Sequence, residues 1–306
     1  MSTIISVKDL SKSFGPRQAL RGVTFEVEAG APVGLVGPNG AGKTTLFSIL
    51  CGFLSPTEGS VKVLDHAPLS PALRNRVSIL PQDARFLSGL KVERQLAMLA
   101  ELQSFSRRDA VKEAQRVLEL VGLSNAAHLS PDKLSHGMLK RVAIAQAFIG
   151  SPELIMLDEP VAGLDPNTTT QILSLIRSCA DRCTFIVSSH NLAVIESLCQ
   201  SILILKRGEL TTQESVESLV ARTSVLNLRL EADPAPAIVE HFAGLNGITK
   251  VEPGHPGEHR LTLHYVENPS EPIEVVVIQA LAQLGVPYRE MTRGQSLDRK
   301  VAEITR

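Results

Sequence analysis

The stretch Gly37-Pro38-Asn39-Gly40-Ala41-Gly42-Lys43-Thr44, followed by Thr45, fits G-x-x-x-x-G-K-[ST] and sits between an apolar run, APVGLV, and a helical segment. In that context the glycines let backbone N–H groups turn inward, and the dipole of the following helix adds positive potential. Such a loop is built to hold phosphates. Lys43 is expected to bridge the β- and γ-phosphates of a nucleoside triphosphate, and the Thr44 hydroxyl to bind Mg2+. Further along, LIMLDEP runs an apolar strand into two adjacent carboxylates. Asp158 is expected to orient Mg2+ through its water shell, and Glu159 to polarise an attacking water. His190, in VSSH, follows another apolar strand at the same sheet edge, where the γ-phosphate would lie.

These residues need strands to aim them. APVGLVG, NRVSILPQ, ELIMLDEP, TFIVSSH and SILILKRGEL are apolar and are separated by helical stretches such as NTTTQILSLIRSCADR. Strands without a polar face that alternate with helices imply a mainly parallel sheet covered on both sides. Ahead of them, IISVKDLSKSFG and GVTFEVEAG alternate as strands, and a helix is expected from Lys43 to Gly52. KVERQLAMLAELQ and SRRDAVKEAQRVLELVGL carry apolar residues at i, i+3, i+4, with Ser106 and Asp109 as a cap. They predict a helical insert over about residues 83–133, with Arg107 and Arg108 as its solvated helix start. From about Thr211 the elements shorten and follow the order β-α-β-β-α-β, a ferredoxin-like pattern. The expected organisation is a nucleotide-binding domain over 1–215 and a small α+β accessory domain over 222–306.

With 31 basic against 32 acidic residues, bulk charge recruits neither nucleic acid nor an anionic membrane. No Trp and two Tyr leave few platforms for stacking single-stranded bases, so no nucleic-acid partner is expected. The N-terminal residues lack the layout of a signal peptide, and no window reaches the ~18 apolar residues of a membrane span. A cytoplasmic protein, peripheral on the membrane, is the expectation. Cys51, Cys179, Cys183 and Cys199 fall in helical segments without knuckle spacing and read as buried, reduced thiols.

Taken together, the motifs resemble the nucleotide-binding subunit of ABC transporters, over roughly Ile4 to Leu210. GPNGAGKTT matches the family's Walker A loop, LIMLDEP its Walker B strand with the following glutamate, and AGLDP (Ala162 to Pro166) its D-loop. The resemblance makes Gln82 in ILPQD the Q-loop glutamine and a Mg2+ contact, His190 the switch histidine, and Phe14 the aromatic that stacks on adenine. It also makes LSHGMLKR, Leu134 to Arg141, the signature segment. Leu134, Ser135 and Gly137 agree with LSGGQ, whereas His136 replaces a glycine and Met138 the glutamine. A Ser hydroxyl and a Gly amide at a helix N-terminus suit a γ-phosphate. The resemblance implies that Ser135, Gly137 and Asp165 meet ATP held by a second cassette, identical or paralogous. It also implies separate transmembrane permease subunits, docked through the Q-loop and helical insert. The altered signature, and SLDRKVAEIT at Ser296 to Thr305, are similar to exporter-type cassettes with a small appended domain. Transport powered by ATP hydrolysis, in the export direction, is the expected function. An ABC-type ATPase uncoupled from transport, or an ATP-sensing module, is the alternative.

Overall fold

The computed structural model describes residues 2–221, 225–265 and 272–294, which cluster into two compact units that meet between Glu214 and Ser215. The first unit opens with β1 (Thr3–Phe14) and β2 (Arg17–Glu28), whose alternating residues bury one face, followed by β3 (Val33–Val36), buried on both. Helix α1 (Lys43–Leu50) ends as Gly52 turns into the left-handed region, two residues short of the sequence expectation. Strand β4 (Glu58–Val63), which the sequence pattern did not announce, has three exposed residues before its first buried one. After β5 (Val77–Leu80) come the insert helices α2 (Val92–Leu102) and α3 (Arg107–Leu120), the second capped by the Ser106 hydroxyl accepting from the Asp109 N–H at 3.2 Å. Helix α4 (His136–Ala147) leads into β6 (Leu154–Asp158), all of it buried, then α5 (Pro166–Cys179), β7 (Thr184–Ser188), α6 (Leu192–Leu198), β8 (Ser201–Lys206) and β9 (Glu209–Ser215).

Strands β2-β1-β4 form an antiparallel sheet, with Val7 opposite Phe25 and Val61. The other sheet has the order β5-β6-β7-β3-β8-β9, and its pairs from β5 through β8 are parallel. What reads in sequence as one run, SILILKRGEL, is two strands. Arg207 and Gly208 both take positive φ, giving the two-residue turn that joins antiparallel neighbours. The sheet is therefore mixed. One core unites both sheets with α1: Ile5, Leu10 and Phe25 share it with Leu46, Phe47 and Leu50, and with Leu35, Met156 and Ile186. The phosphate-loop helix is thus clamped between two sheets and cannot be re-aimed without repacking.

The second unit holds α7 (Val216–Ala221), β10 (Val225–Leu230), α8 (Pro236–Ala243), β11 (Ile248–Pro253), β12 (Arg260–Tyr265), α9 (Ile273–Leu284) and β13 (Tyr288–Arg293). From β10 onward this is the β-α-β-β-α-β order, and the sheet β11-β12-β10-β13 is antiparallel throughout. Leu226, Leu228, Leu261 and Leu263 pack under Phe242 of α8 and Val277 and Leu281 of α9. The fold is the expected one: an α/β core with an antiparallel β subdomain and helical insert, plus a small ferredoxin-like α+β unit. The segment Ser296 to Thr305 lies outside the described residues.

Candidate active site

Strand β3 stops at Val36, and the chain turns through Gly37–Gly42 into α1. Two glycines there answer to sterics. A Cβ on Gly37 would lie 2.3 Å from the Leu205 carbonyl oxygen, and one on Gly42, whose φ is 110°, would lie 2.8 Å from the Ala19 carbonyl oxygen. The loop is held against β8 and β2 too closely for any side chain. Lys43 is buried, and its ammonium donates to the carbonyl oxygens of Gly37 at 2.6 Å and Pro38 at 3.3 Å. Burial lowers its pKa, while Glu159 and then Asp158 pull it back up.

The carboxylates come from the end of β6. Asp158 accepts from the Thr44 hydroxyl at 3.2 Å and from the Ser188 hydroxyl, so α1, β6 and β7 converge on one side chain. Glu159 takes a left-handed backbone with φ 50°, a conformation that costs an L residue about 1–2 kcal/mol. Its N–H is shared between the Ser188 carbonyl and hydroxyl oxygens, both at 3.2 Å, which holds it there. The Glu159 carboxylate accepts from the His190 N–H at 2.9 Å, and the ring Nδ1 of His190 lies 2.9 Å from the same oxygen. Glu159 is buried while the His190 ring is 67% exposed, so the histidine joins the carboxylate to solvent.

A cavity of about 160 Å³ lies over this cluster, lined by Asn39, Gly40, Gly42, Lys43, Thr44 and Thr45 on one side and Gln82, Asp158 and Glu159 on the other. Arg17 and Ala19 complete the lining. Arg17 was not singled out from sequence. It opens β2, and its guanidinium comes 3.9 Å from where a Gly40 Cβ would stand, a proximity created by the packing of β2 against the phosphate loop. Phe14, His190, Ser135, Gly137 and Asp165 do not line this cavity. Phe14 ends β1 across the same turn, 47% exposed, with the Lys12 ammonium 5.1 Å from its ring centroid. Ser135 caps α4, accepting from the Met138 N–H at 3.2 Å, and Asp165 caps α5, accepting from the Thr168 N–H at 3.0 Å with Pro166 next in line. The two caps are neighbours: a Gly137 Cβ would stand 3.2 Å from Thr168, and a Gly163 Cβ 3.8 Å from the His136 Nε2.

The Thr44 hydroxyl and Asp158 carboxylate are hard oxygen donors side by side, with the Gln82 amide on the same cavity, a set that fits Mg2+. Among the described residues there is no cluster of three or more His, Cys, Asp or Glu that would hold a transition metal, and no helix is long and apolar enough to cross a membrane. The four thiols are free, and burial pushes those of Cys51, Cys183 and Cys199 up to about 12.

Residues 20–162 match the family model described as ABC transporter. The chain is 35% identical to the uncharacterized ABC transporter ATP-binding protein YxlF of Bacillus subtilis, over 71% of this chain and 72% of that one. It is 33% identical to a methionine import ATP-binding protein MetN of Clostridioides difficile, over 72% and 71%. With the linearmycin resistance ATP-binding protein LnrL of Bacillus subtilis it shares 29% identity, over 72% and 71%. Among solved structures it superposes on cbiO1 of Clostridium perfringens, part of the ABC transporter complex cbiONQ, with TM-score 0.65 and 26% identity over 72% of this chain and 91% of that one. It also superposes on a dimeric post-hydrolysis state of the ATP-binding cassette MJ0796 bound to ADP and Pi, with TM-score 0.63 and 26% identity over 69% and 98%. A phosphate loop clamped between two sheets, paired carboxylates at its mouth and these likenesses have one meaning: the chain belongs to the ABC transporter family as an ATP-binding, ATP-hydrolysing subunit.

Proposed function

We propose that this subunit powers transport through separate membrane permeases, and that two cassettes close face to face on two ATP molecules. The observation that carries the site assignment is the convergence of Lys43, Thr44, Asp158 and Glu159 on one cavity, with His190 bonded to Glu159 beside it. Backbone N–H groups of Gly37–Gly42 and the Lys43 ammonium hold the phosphates. Thr44, Asp158 and Gln82 hold Mg2+, which when bound neutralises phosphate charge. Glu159, fixed by Ser188 and His190, accepts the proton of the attacking water, and the exposed His190 ring reaches the γ-phosphate. Phe14, on the turn beside Arg17 and Ala19, stacks on the base.

Ser135, Gly137 and Asp165 serve the site of the facing cassette. Their absence from their own chain's cavity supports this, and so does the dimeric form of MJ0796 with ADP and Pi. The permease partnership is supported by cbiO1 being part of a transporter complex. Export is the direction we propose, from the LSHGM form of the signature and the appended ferredoxin-like unit. Relatives carry names of both kinds, methionine import and linearmycin resistance. In this arrangement the chain works at the cytoplasmic face of the membrane.

The Glu159→Gln variant tests the core of the reading. It is expected to bind ATP with unchanged affinity and to hydrolyse it at least ~100-fold more slowly, measured by nucleotide binding and phosphate release. Normal turnover would show that another group acts as base. In ATP the same variant is expected to sediment as a dimer, and without nucleotide as a monomer.

A further inference from the structure

Two cationic side chains line the phosphate cavity, Lys43 and Arg17. Lys43 is already engaged, since its ammonium donates to the carbonyl oxygens of Gly37 and Pro38. Arg17 is not: among the described residues its guanidinium makes no hydrogen bond and no ion pair. With Lys43 alone, the lining would set one positive side chain against the carboxylates of Asp158 and Glu159, a poor match for a triphosphate.

The backbone that carries Arg17 is held in place. A two-residue turn, Gly15-Pro16, joins β1 to β2, and Phe14 and Arg17 are paired across it. The ring of Pro16 fixes φ at the residue before Arg17. Two residues on, the Ala19 carbonyl oxygen is wedged between loop and hairpin, 2.8 Å from where a Gly42 Cβ would stand and 2.7 Å from where one on Gly208 would. Arg17 therefore hangs from a fixed strand end, and its guanidinium reaches the middle of the phosphate loop beside Gly40. An arginine there has a charge to give and no partner within its own chain to take it.

We propose that Arg17 is a substrate-binding residue, whose guanidinium takes the diphosphate part of the nucleotide, between the base on Phe14 and the bond that Glu159 helps to break. This rests on the reading of the cavity as the nucleotide site and of Phe14 as the base platform. A planar guanidinium meets two phosphate oxygens at once, which an ammonium cannot do. ATP and ADP share the diphosphate, so Arg17 holds substrate and product alike. Binding of that uniform kind sets affinity and leaves the chemical step unchanged.

The test uses the full chain as wild type, Arg17→Ala, Arg17→Lys and, as control, Lys43→Ala, with Mg-ATP and Mg-ADP as probes. Arg17→Ala is expected to weaken both Kd values about tenfold and to raise KM for ATP to match, with kcat within about twofold of wild type. Arg17→Lys keeps the charge and loses the fork, so its affinities should fall between the two. The gap between wild type and Arg17→Ala should narrow in about 1 M salt, where exposed charges are screened beyond about 3 Å. Because the guanidinium has no partner in the chain to lose, nucleotide-free Arg17→Ala should melt at the wild-type temperature. The proposal is overturned if Arg17→Ala binds both nucleotides like wild type, or if ATP alone is weakened, which would move the guanidinium to the γ-phosphate. It is overturned too if kcat falls at constant KM, if Arg17→Lys is as weak as Arg17→Ala, or if the loss of affinity tracks a lowered melting temperature. If Lys43→Ala binds both nucleotides like wild type, the reading of the cavity has failed and the proposal with it. An unchanged Arg17→Ala beside a Lys43→Ala that no longer binds overturns the proposal alone.

Discussion

Ser135 has two tasks at one atom. Its hydroxyl caps α4 through the Met138 N–H, and in the proposed dimer the same hydroxyl faces a γ-phosphate. The tasks separate by substitution. Ser135→Ala loses the cap, at about 1 kcal/mol of stability, and also loses turnover. Ser135→Asp is itself a good cap, so it is expected to melt near wild type, yet to hydrolyse ATP at least ~10-fold more slowly because a carboxylate meets the phosphate. Melting curves and phosphate release on the two variants decide it; an active Ser135→Asp would mean that no phosphate comes to this helix end. Residues whose chemistry is written in consecutive positions, such as Gly42-Lys43-Thr44 and Asp158-Glu159, were legible in the sequence. Arg17 was not, because it reaches the site through packing between distant segments.

Among the elements, α3 shows how the helical insert is stitched to the core. Glu113 accepts two bonds from Arg116, at 2.8 and 2.6 Å, and one from the Gly150 N–H at 2.8 Å, while Arg116 also donates to the Phe148 carbonyl oxygen at 2.7 Å. Burial works to raise the Glu113 pKa, but bonds from Arg116 and Gly150 outweigh it and leave the carboxyl below its ordinary value. A carboxylate lowered in the folded state adds stability that is complete above its unfolded pKa and disappears as pH falls through the folded one. Glu113→Gln is therefore expected to cost about 1–2 kcal/mol near neutrality, with solvent screening holding it to that range. The gap in melting temperature between wild type and variant should close as pH drops below the glutamate range; a constant gap would assign the effect to packing. The helices of the insert were visible in the sequence through their apolar spacing and the Ser106 cap. Strand β4 was not, since its first three residues are exposed and offer no alternation, and the β8–β9 boundary was masked by Arg207, a non-glycine residue in a left-handed turn.

At the scale of the molecule, the first unit contains every residue assigned to ATP, and its core closes without help from β10–β13. A chain ended after Ser215 is expected to fold and to keep basal ATP turnover within about threefold of the full chain, as independent cores allow. Loss of folding in that fragment would show that the second unit is part of the catalytic body. The β-α-β-β-α-β order of that unit was readable from short alternating runs, whereas its strand order β11-β12-β10-β13 follows from pairing that no local pattern displays.

The left-handed backbone at Glu159 has a consequence for the history of the chain. Glycine or asparagine would adopt the same φ with little strain, so the most comfortable residue for this turn is one that cannot activate water. Selection for a sturdier fold and selection for turnover pull in opposite directions at this one position. A lineage that drifts toward robustness after losing its need for ATP hydrolysis has its easiest first step here.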